Sequence, residues 1–268
     1  MATKPRARAI ITLLTDFGVQ DAYVACLKGV ILGLNPAAAL IDLTHAVPPQ
    51  DRRRGALILA GAAPYFPPGT IHLAVVDPGV GSGRRGLAAH CRGQFWVGPD
   101  NGLFHLAWSQ DPDLEIVSLE NPRFFRPQVA ATFHGRDIFA PVAAHLSLGV
   151  RLGQFGPAIT DPVSLGFPEP TFGPAAIHGE VIYVDRFGNL VSNVRAAALN
   201  SWAKGQGLHF QVGRIQISGL ARTYNDVAPG EFLALAGSHG YLEIACNLGN
   251  AAGRGRARVG DSLTIRKE

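Results

Sequence analysis

The sequence predicts an α/β N-terminal domain with a largely parallel sheet, followed by a smaller all-β domain, a barrel or a sandwich. Three observations carry this. Between residues 9 and 76, strand-like and helix-like apolar runs alternate. Between 156 and 176, Pro157, Pro162, Pro168, Pro170 and Pro174 punctuate a stretch without periodicity, which reads as a linker. Beyond it, short apolar runs recur between turn residues. The expected division is 8–160, a Pro-rich linker 161–175, and 176–268.

Taken in order, AIITLL (9–14) reads as a first strand that ends at Thr15–Asp16–Phe17–Gly18. Residues 20–34 carry Tyr23, Val24, Leu27, Val30, Ile31 and Leu34 at helical spacing, and Asn35–Pro36 ends that helix. Ala39 to Leu43 is a second strand that ends in Asp42–Leu43–Thr44–His45, with Asp42 at its exit, and 51–63 suits a helix. Ile71 to Val76 is a buried strand, stopped at Asp77–Pro78–Gly79 because proline cannot donate to a ladder. Asp16, Asp42 and Asp77 would then lie on one edge of a parallel sheet. Residues 94–97 and 115–119 read as further strands around a turn cluster at Gly98–Gly102. Asp137 reads as the cap of an apolar helix, Ile138 to Leu148, with His134 in the loop before it. In the second half, strands are expected at 177–184, 190–195, 208–218, 231–236, 241–245 and 261–266, with a helix at 196–203.

Composition narrows the functional classes. Of 268 residues, 47% are apolar and 16% charged, which supports a sizeable core and excludes disorder. The net charge of +4 is spread over scattered arginines, so nucleic-acid binding is not indicated. Three distant cysteines (26, 91 and 246) offer neither zinc spacing nor a disulfide framework and suit a reducing cytosol. The basic start, Met1 to Arg8, precedes an apolar run too short for a signal core, and no stretch reaches the roughly 20 apolar residues of a membrane helix. The expectation is a cytoplasmic protein. HExxH and CxxC spacings are absent, so no metal is expected, and VDPGVGSGRR lacks the Walker lysine.

Asp77, Arg84 and His134 offer a carboxylate, a permanent cation and an imidazole able to hold and polarise a water, if the fold brings them together. The alternative is a capped turn, solvated arginines and a structural histidine. Asp185 to Asn189 (DRFGN) offers a carboxylate, an aromatic and an amide to a ligand; a hairpin turn explains them equally well. Ser238–His239 and Asn247–Ala251 repeat the polar-turn pattern. Turns do not explain Glu243 inside an apolar strand.

Seven segments occur in order across nearly the whole chain: LLTDFG (13–18), DLTHAVPPQD (42–51), VVDPGVGSGRR (75–85), VGPDNGL (97–103), TFHGRDIFAP (132–141), VDRFGNLVSN (184–193) and GYLEIACNLGNAA (240–252). Together they resemble the S-adenosyl-L-methionine hydroxide adenosyltransferase family, which hydrolyses S-adenosylmethionine to adenosine and methionine and is related to fluorinase and chlorinase. The resemblance implies an α/β domain followed by a β-domain, no cofactor, and a homotrimer with its active site at the subunit interface. It implies a water-handling set of Asp77, Arg84 and His134, with Asp16 on the ribose hydroxyls. It implies Asp185 on the methionine ammonium, Asn189 near adenine, Phe187 and Tyr224 as aromatic walls, and Ser238 and His239 at the methionine carboxylate. Asn247 joins the substrate-binding set. His239 departs from the halogenating relatives, which present arginine there. Gly135 does not exclude chloride, but the Asp77 carboxylate repels halide and accepts from water, so water is the expected nucleophile.

Overall fold

The computed structural model describes residues 8–108 and 111–268; the basic start lies outside them, apart from Arg8. The chain divides into two compact units that part between Leu165 and Gly166, inside the expected linker.

In the first unit, β1 (Ile10–Thr15), α1 (Tyr23–Leu34), β2 (Ala39–Thr44), α2 (Arg52–Ala62) and β3 (Ile71–Val75) alternate as predicted. Helix α1 buries Leu27 and Ile31, one turn apart on one face, and ends at Asn35 before Pro36. Helix α2 starts at Asp51, whose carboxylate accepts from Arg54 N at 2.9 Å. Every residue of β3 is buried, as suits a central parallel strand.

Strands β4 (Gly86–Cys91) and β5 (Gln94–Pro99), helix α3 (His105–Trp108) and strand β6 (Glu115–Ser118) follow, and α4 (Ala140–Ser147) packs on α1. The sheet order is β2-β1-β3-β5-β4-β6. Its β2–β1, β1–β3 and β3–β5 pairs are parallel, while β4 runs antiparallel to both neighbours. The sequence reading passed over β4, because GLAAHC has no β-branched residue. The strand forms as one arm of a hairpin whose two loop residues, Arg92 and Gly93, both have positive φ (50° and 74°). The core lies between the sheet and α1 and α4, with Leu13, Leu27, Ile31, Leu73, Phe139 and Val142 at its centre.

One expectation fails at the start of α4, which forms within the expected 138–148. The helix is entered through one π-helical turn, Gly135–Phe139, and Asp137 caps nothing. It sits inside that turn, fully buried. Its carboxylate accepts from Arg136 Nε (2.7 Å), Arg126 Nη1 (3.0 Å) and the backbone N of Ala130 (2.9 Å). Two guanidinium groups outbid the helix N-terminus for this carboxylate, and they hold its pKa below the usual range against the opposing effect of burial.

The second unit contains β7 (Thr171–Phe172), β8 (Ala176–Val184), β9 (Leu190–Arg195), α5 (Ala196–Ala203), β10 (Leu208–Val212), β11 (Ile215–Ser218), β12 (Phe232–Ala236), β13 (Tyr241–Cys246), α6 (Ala251–Gly255) and β14 (Ser262–Lys267). Its strands form one antiparallel, nearly barrel-like sheet in the order β11-β10-β14-β8-β9-β13-β12, with β7 added on β8. The single strand expected over 208–218 is a hairpin, β10–β11, turning at Gly213 (φ 54°). Its core gathers Ile177, Leu190, Phe210, Leu242, Ile244 and Ile265. Among the described residues no helix is long and apolar enough to cross a membrane.

Candidate active site

Strands β1 and β3 lie side by side and parallel, so the residues that leave their C-terminal ends share one edge of the sheet. Asp16 leaves β1 and Asp77 leaves β3. Both line a cleft of about 530 Å³ together with Phe17, Tyr23, Gln50 and His134. The third strand-exit carboxylate does not join them. Asp42 lies within β2 and is held by Lys28 Nζ (2.6 Å) and by His45 Nε2 (3.0 Å).

At the bottom of the cleft the loop after β3 folds back. Gly81 adopts φ +77°, and a β-carbon there would lie 2.5 Å from the carbonyl of Ala131, so this loop rests directly on the one that carries His134. The return places Arg84 under Asp77. The guanidinium grips the carboxylate bidentately, Nε to Oδ1 at 2.9 Å and Nη2 to Oδ2, with the two side chains 11% and 5% exposed. Nη2 also lies 3.1 Å from His134 Nδ1, and Arg84 stacks 5.2 Å over the ring of Phe139. Arg85 turns away to Asp100 and Asp161, so the two adjacent arginines have separate tasks.

The contact with Arg84 determines the state of His134. Guanidinium only donates, so Nδ1 must accept, and the neutral ring carries its proton on Nε2. Burial first, and then the Arg84 charge, lower the His134 pKa below 6.5. The site thus presents a carboxylate with lone pairs to spare beside a neutral imidazole donor. Asp16 is oriented by the backbone N of Gln50, which donates to Oδ2 at 2.8 Å from a left-handed conformation (φ 67°).

Sequence reasoning missed Gln50 and the aromatic wall of the cleft. Phe17, Tyr23 and Phe133 meet edge to face, with centroids 5.3–5.9 Å apart. The F in TDFG and in TFHG was the available signal.

The remaining candidates all lie on the second unit. Asp185 closes the β8–β9 turn: Oδ1 accepts from the backbone N of Phe187 and of Asn189 (both 2.8 Å), and Oδ2 from Asn189 Nδ2 (3.0 Å). The hairpin reading therefore describes this turn, and it leaves Phe187 75% exposed at the tip. Tyr224 donates to Glu243 Oε1 at 2.7 Å, while Glu243 Oε2 lies 3.2 Å from His239 Nε2. That answers the question of why Glu243 interrupts an apolar strand: it is buried and shared by two polar rings. Burial first, and then the Glu243 bond and the charges of Glu243 and Asp185, push Tyr224 up to about 12. His239 Nδ1 accepts from Tyr241 N (3.2 Å), so both ring nitrogens have partners within the chain. Ser238 is exposed. Asn247 is buried and donates to the carbonyl of Val227 at 2.7 Å, a structural bond that ties down the 227–231 loop. A larger hollow of about 620 Å³ near β11 and β12 holds Asp226 and Glu231, whose carboxylates already accept from their own loop's backbone. Among the described residues no His, Cys, Asp and Glu side chains cluster as a metal site.

An open α/β sheet with a carboxylate–guanidinium–imidazole set beside the cleft at its strand ends, followed along the chain by a separate antiparallel β-unit, defines the class of this chain as a two-unit α/β-plus-β protein with a polar cleft on its first unit. Residues 11–156 match the model of the SAM hydroxide adenosyltransferase N-terminal domain and residues 179–264 that of its C-terminal domain, and the chain belongs to this family. It is 44% identical over 250 residues to the (R)-S-adenosyl-L-methionine hydrolase of Thermus thermophilus (90% of this chain, 93% of that one). It is 43% identical over 258 residues to the protein of that name from Salinispora tropica (95% and 97%). A fluorinase from Actinoplanes sp. is similar at 26% identity over 293 residues (96% and 97%). The crystal structure of an uncharacterized conserved protein from Thermotoga maritima superposes with a TM-score of 0.90 at 37% identity, covering 96% of this chain and 100% of that one.

Proposed function

We propose that the chain hydrolyses S-adenosyl-L-methionine to adenosine and L-methionine, with water displacing the sulfonium at the ribose C5′. The hydrolases at 43–44% identity support the substrate. The observation that carries the choice of nucleophile is the bidentate Arg84–Asp77 pair beside His134 in the cleft.

Arg84 occupies one lone pair on each Asp77 oxygen. A carboxylate has about four such sites, so those left over accept from a water. The Nε2–H of His134 donates to the same water. As the O–C5′ bond forms, the C5′–S pair leaves as neutral thioether, so no acid is needed on that side. The water's proton passes to Asp77 and then to solvent. Asp16 holds the ribose hydroxyls. The reaction consumes water and substrate alone and needs no cofactor. A halide at the water position would face the Asp77 carboxylate, which repels it.

The β-unit residues Asp185, Phe187, Asn189, Tyr224, Ser238 and His239 would serve the methionine and adenine ends, with Asp185 taking the ammonium and Asn189 and Phe187 the base. We place them opposite the cleft of a neighbouring chain in a cytoplasmic homotrimer, which predicts a solution mass three times the 28.4 kDa chain.

Turnover in water enriched in oxygen-18 tests the chemistry: the label should enter the 5′-hydroxyl of adenosine. Adenosine without label would eliminate attack of water at C5′.

A further inference from the structure

We infer that His45 is a positioning residue that sets the aim of Asp16; this rests on the reading of Asp16 as the ribose-binding carboxylate. The segment 42–50 contributes no group but Gln50 to the cleft, yet it moulds the loop that carries Asp16 at three points. The carbonyl of His45 accepts from Gly18 N at 2.8 Å, where Gly18 has φ +68°. The backbone N of Gln50 donates to Asp16 Oδ2. Between them, the His45 side chain, 5% exposed, reaches Thr15 Oγ1 at 2.8 Å through Nδ1.

The polarity of that last contact follows from Thr15 and Asp42 together. Its hydroxyl is completely buried and accepts from Phe17 N at 3.2 Å, the amide just after Asp16. The Asp42 carboxylate, which only accepts, stands 3.0 Å from His45 Nε2 and calls for the ring proton there, so Nδ1 takes the hydroxyl proton of Thr15. That Nε2 contact is bent away from a straight hydrogen bond, so it is an electrostatic one. Lys28 neutralises the other Asp42 oxygen at 2.6 Å. The chain of contacts thus runs Phe17 N–H to Thr15 to His45 to Asp42 to Lys28, and the imidazole acts on the backbone just after Asp16 through the Thr15 hydroxyl. Asp, His and a hydroxyl stand in the order of a nucleophilic triad, but Thr15 has no access to solvent or to a substrate. The arrangement orients and does not attack.

Two replacements separate the arms of the imidazole. Asparagine at 45 can put an amide oxygen where Nδ1 sits and keep the proton from Thr15. Glutamine reaches the Nε2 position and keeps the Asp42 contact but leaves the buried hydroxyl without an acceptor. The His45→Gln variant should therefore raise KM for S-adenosylmethionine roughly tenfold with kcat nearly unchanged, whereas His45→Asn should stay within about threefold of the parent. Thr15→Val should behave like His45→Gln. Adding His45→Gln to Asp16→Asn should cost little more than Asp16→Asn alone. Equal KM for the asparagine and glutamine variants, full additivity with Asp16→Asn, or a fall confined to kcat would overturn the assignment. If Asp16→Asn itself leaves KM unchanged, the ribose reading has failed, and the KM comparison of the two His45 variants still reports on His45. Melting temperatures of all variants show whether a loss is merely one of folding.

Discussion

At the scale of single residues, Arg84 decides what its neighbours can do. Arg84 fixes the orientation of Asp77 through a bidentate contact, and the same guanidinium makes His134 accept at Nδ1. Arg84→Ala should lower kcat by about 10²–10³ while KM changes little, the cost typical of losing a preorganised electrostatic contact. Steady-state kinetics that show equal losses in binding and turnover would contradict this role. The direction of the His134 shift makes a second prediction. Burial and Arg84 favour the neutral ring, and the neutral ring is the working form, so activity falls only as pH drops through a pKa below 6.5. The acid limb of the kcat/KM profile should therefore lie below that of a free histidine, and Arg84→Lys, which loosens the contact, should change its position.

At the scale of elements, the parallel pair β1–β3 gives the site its geometry, and the buried polar residues around it give it rigidity. On β3, burial pushes His72 down to about 4 from an ordinary 6.5. A folded-state pKa depressed in this way stabilises the fold above the unfolded value, and the stability is lost as pH falls from 6.5 through 4. The loss amounts to about 3 kcal/mol. Urea unfolding near pH 7 and near pH 4 should show a loss in the parent that exceeds the loss in His72→Gln by about this amount. Asp137 anchors the π turn that presents His134. Asp137→Asn should destabilise by about 1–3 kcal/mol, because both guanidinium groups lose their buried partner, and it should lower kcat as the turn loosens. The βαβ rhythm was legible in the sequence because each element's apolar period was long and its ends carried Pro, Gly or Asp. Strand β4 was not: an edgeward strand paired on both sides draws its stability from partners distant in sequence, and Ala and Gly carry no strand signal. Asp137 misled for a related reason. An acid ahead of an apolar run has the form of a cap, and only the fold brings Arg126 and Arg136 to it.

At the scale of the whole molecule, the candidate residues were legible in the first unit and ambiguous in the second. Asp16 and Asp77 could be picked out because strand exits concentrate chemistry at one sheet edge; they line the cleft with His134, Arg84 binds Asp77 and His134 from beside it, and Asp42 turns to Lys28 and His45. The residues of the β-unit were ambiguous, since the same Asp185 and Asn189 that a ligand would use also build the hairpin that carries them. The glycine at 135 leaves room, since a β-carbon there would meet its neighbours only at ordinary contact distances of 3.5–3.6 Å. In the proposed reaction, exclusion of halide would then rest on the charge of Asp77 and not on crowding at residue 135. The most direct measurement is chromatography of the purified protein incubated with S-adenosylmethionine, with and without chloride. Adenosine and methionine should form in equal amounts, at a rate proportional to protein and indifferent to chloride. A 5′-chlorinated nucleoside that appears with chloride, or substrate retained without any product, would contradict hydrolysis by a water held on Asp77.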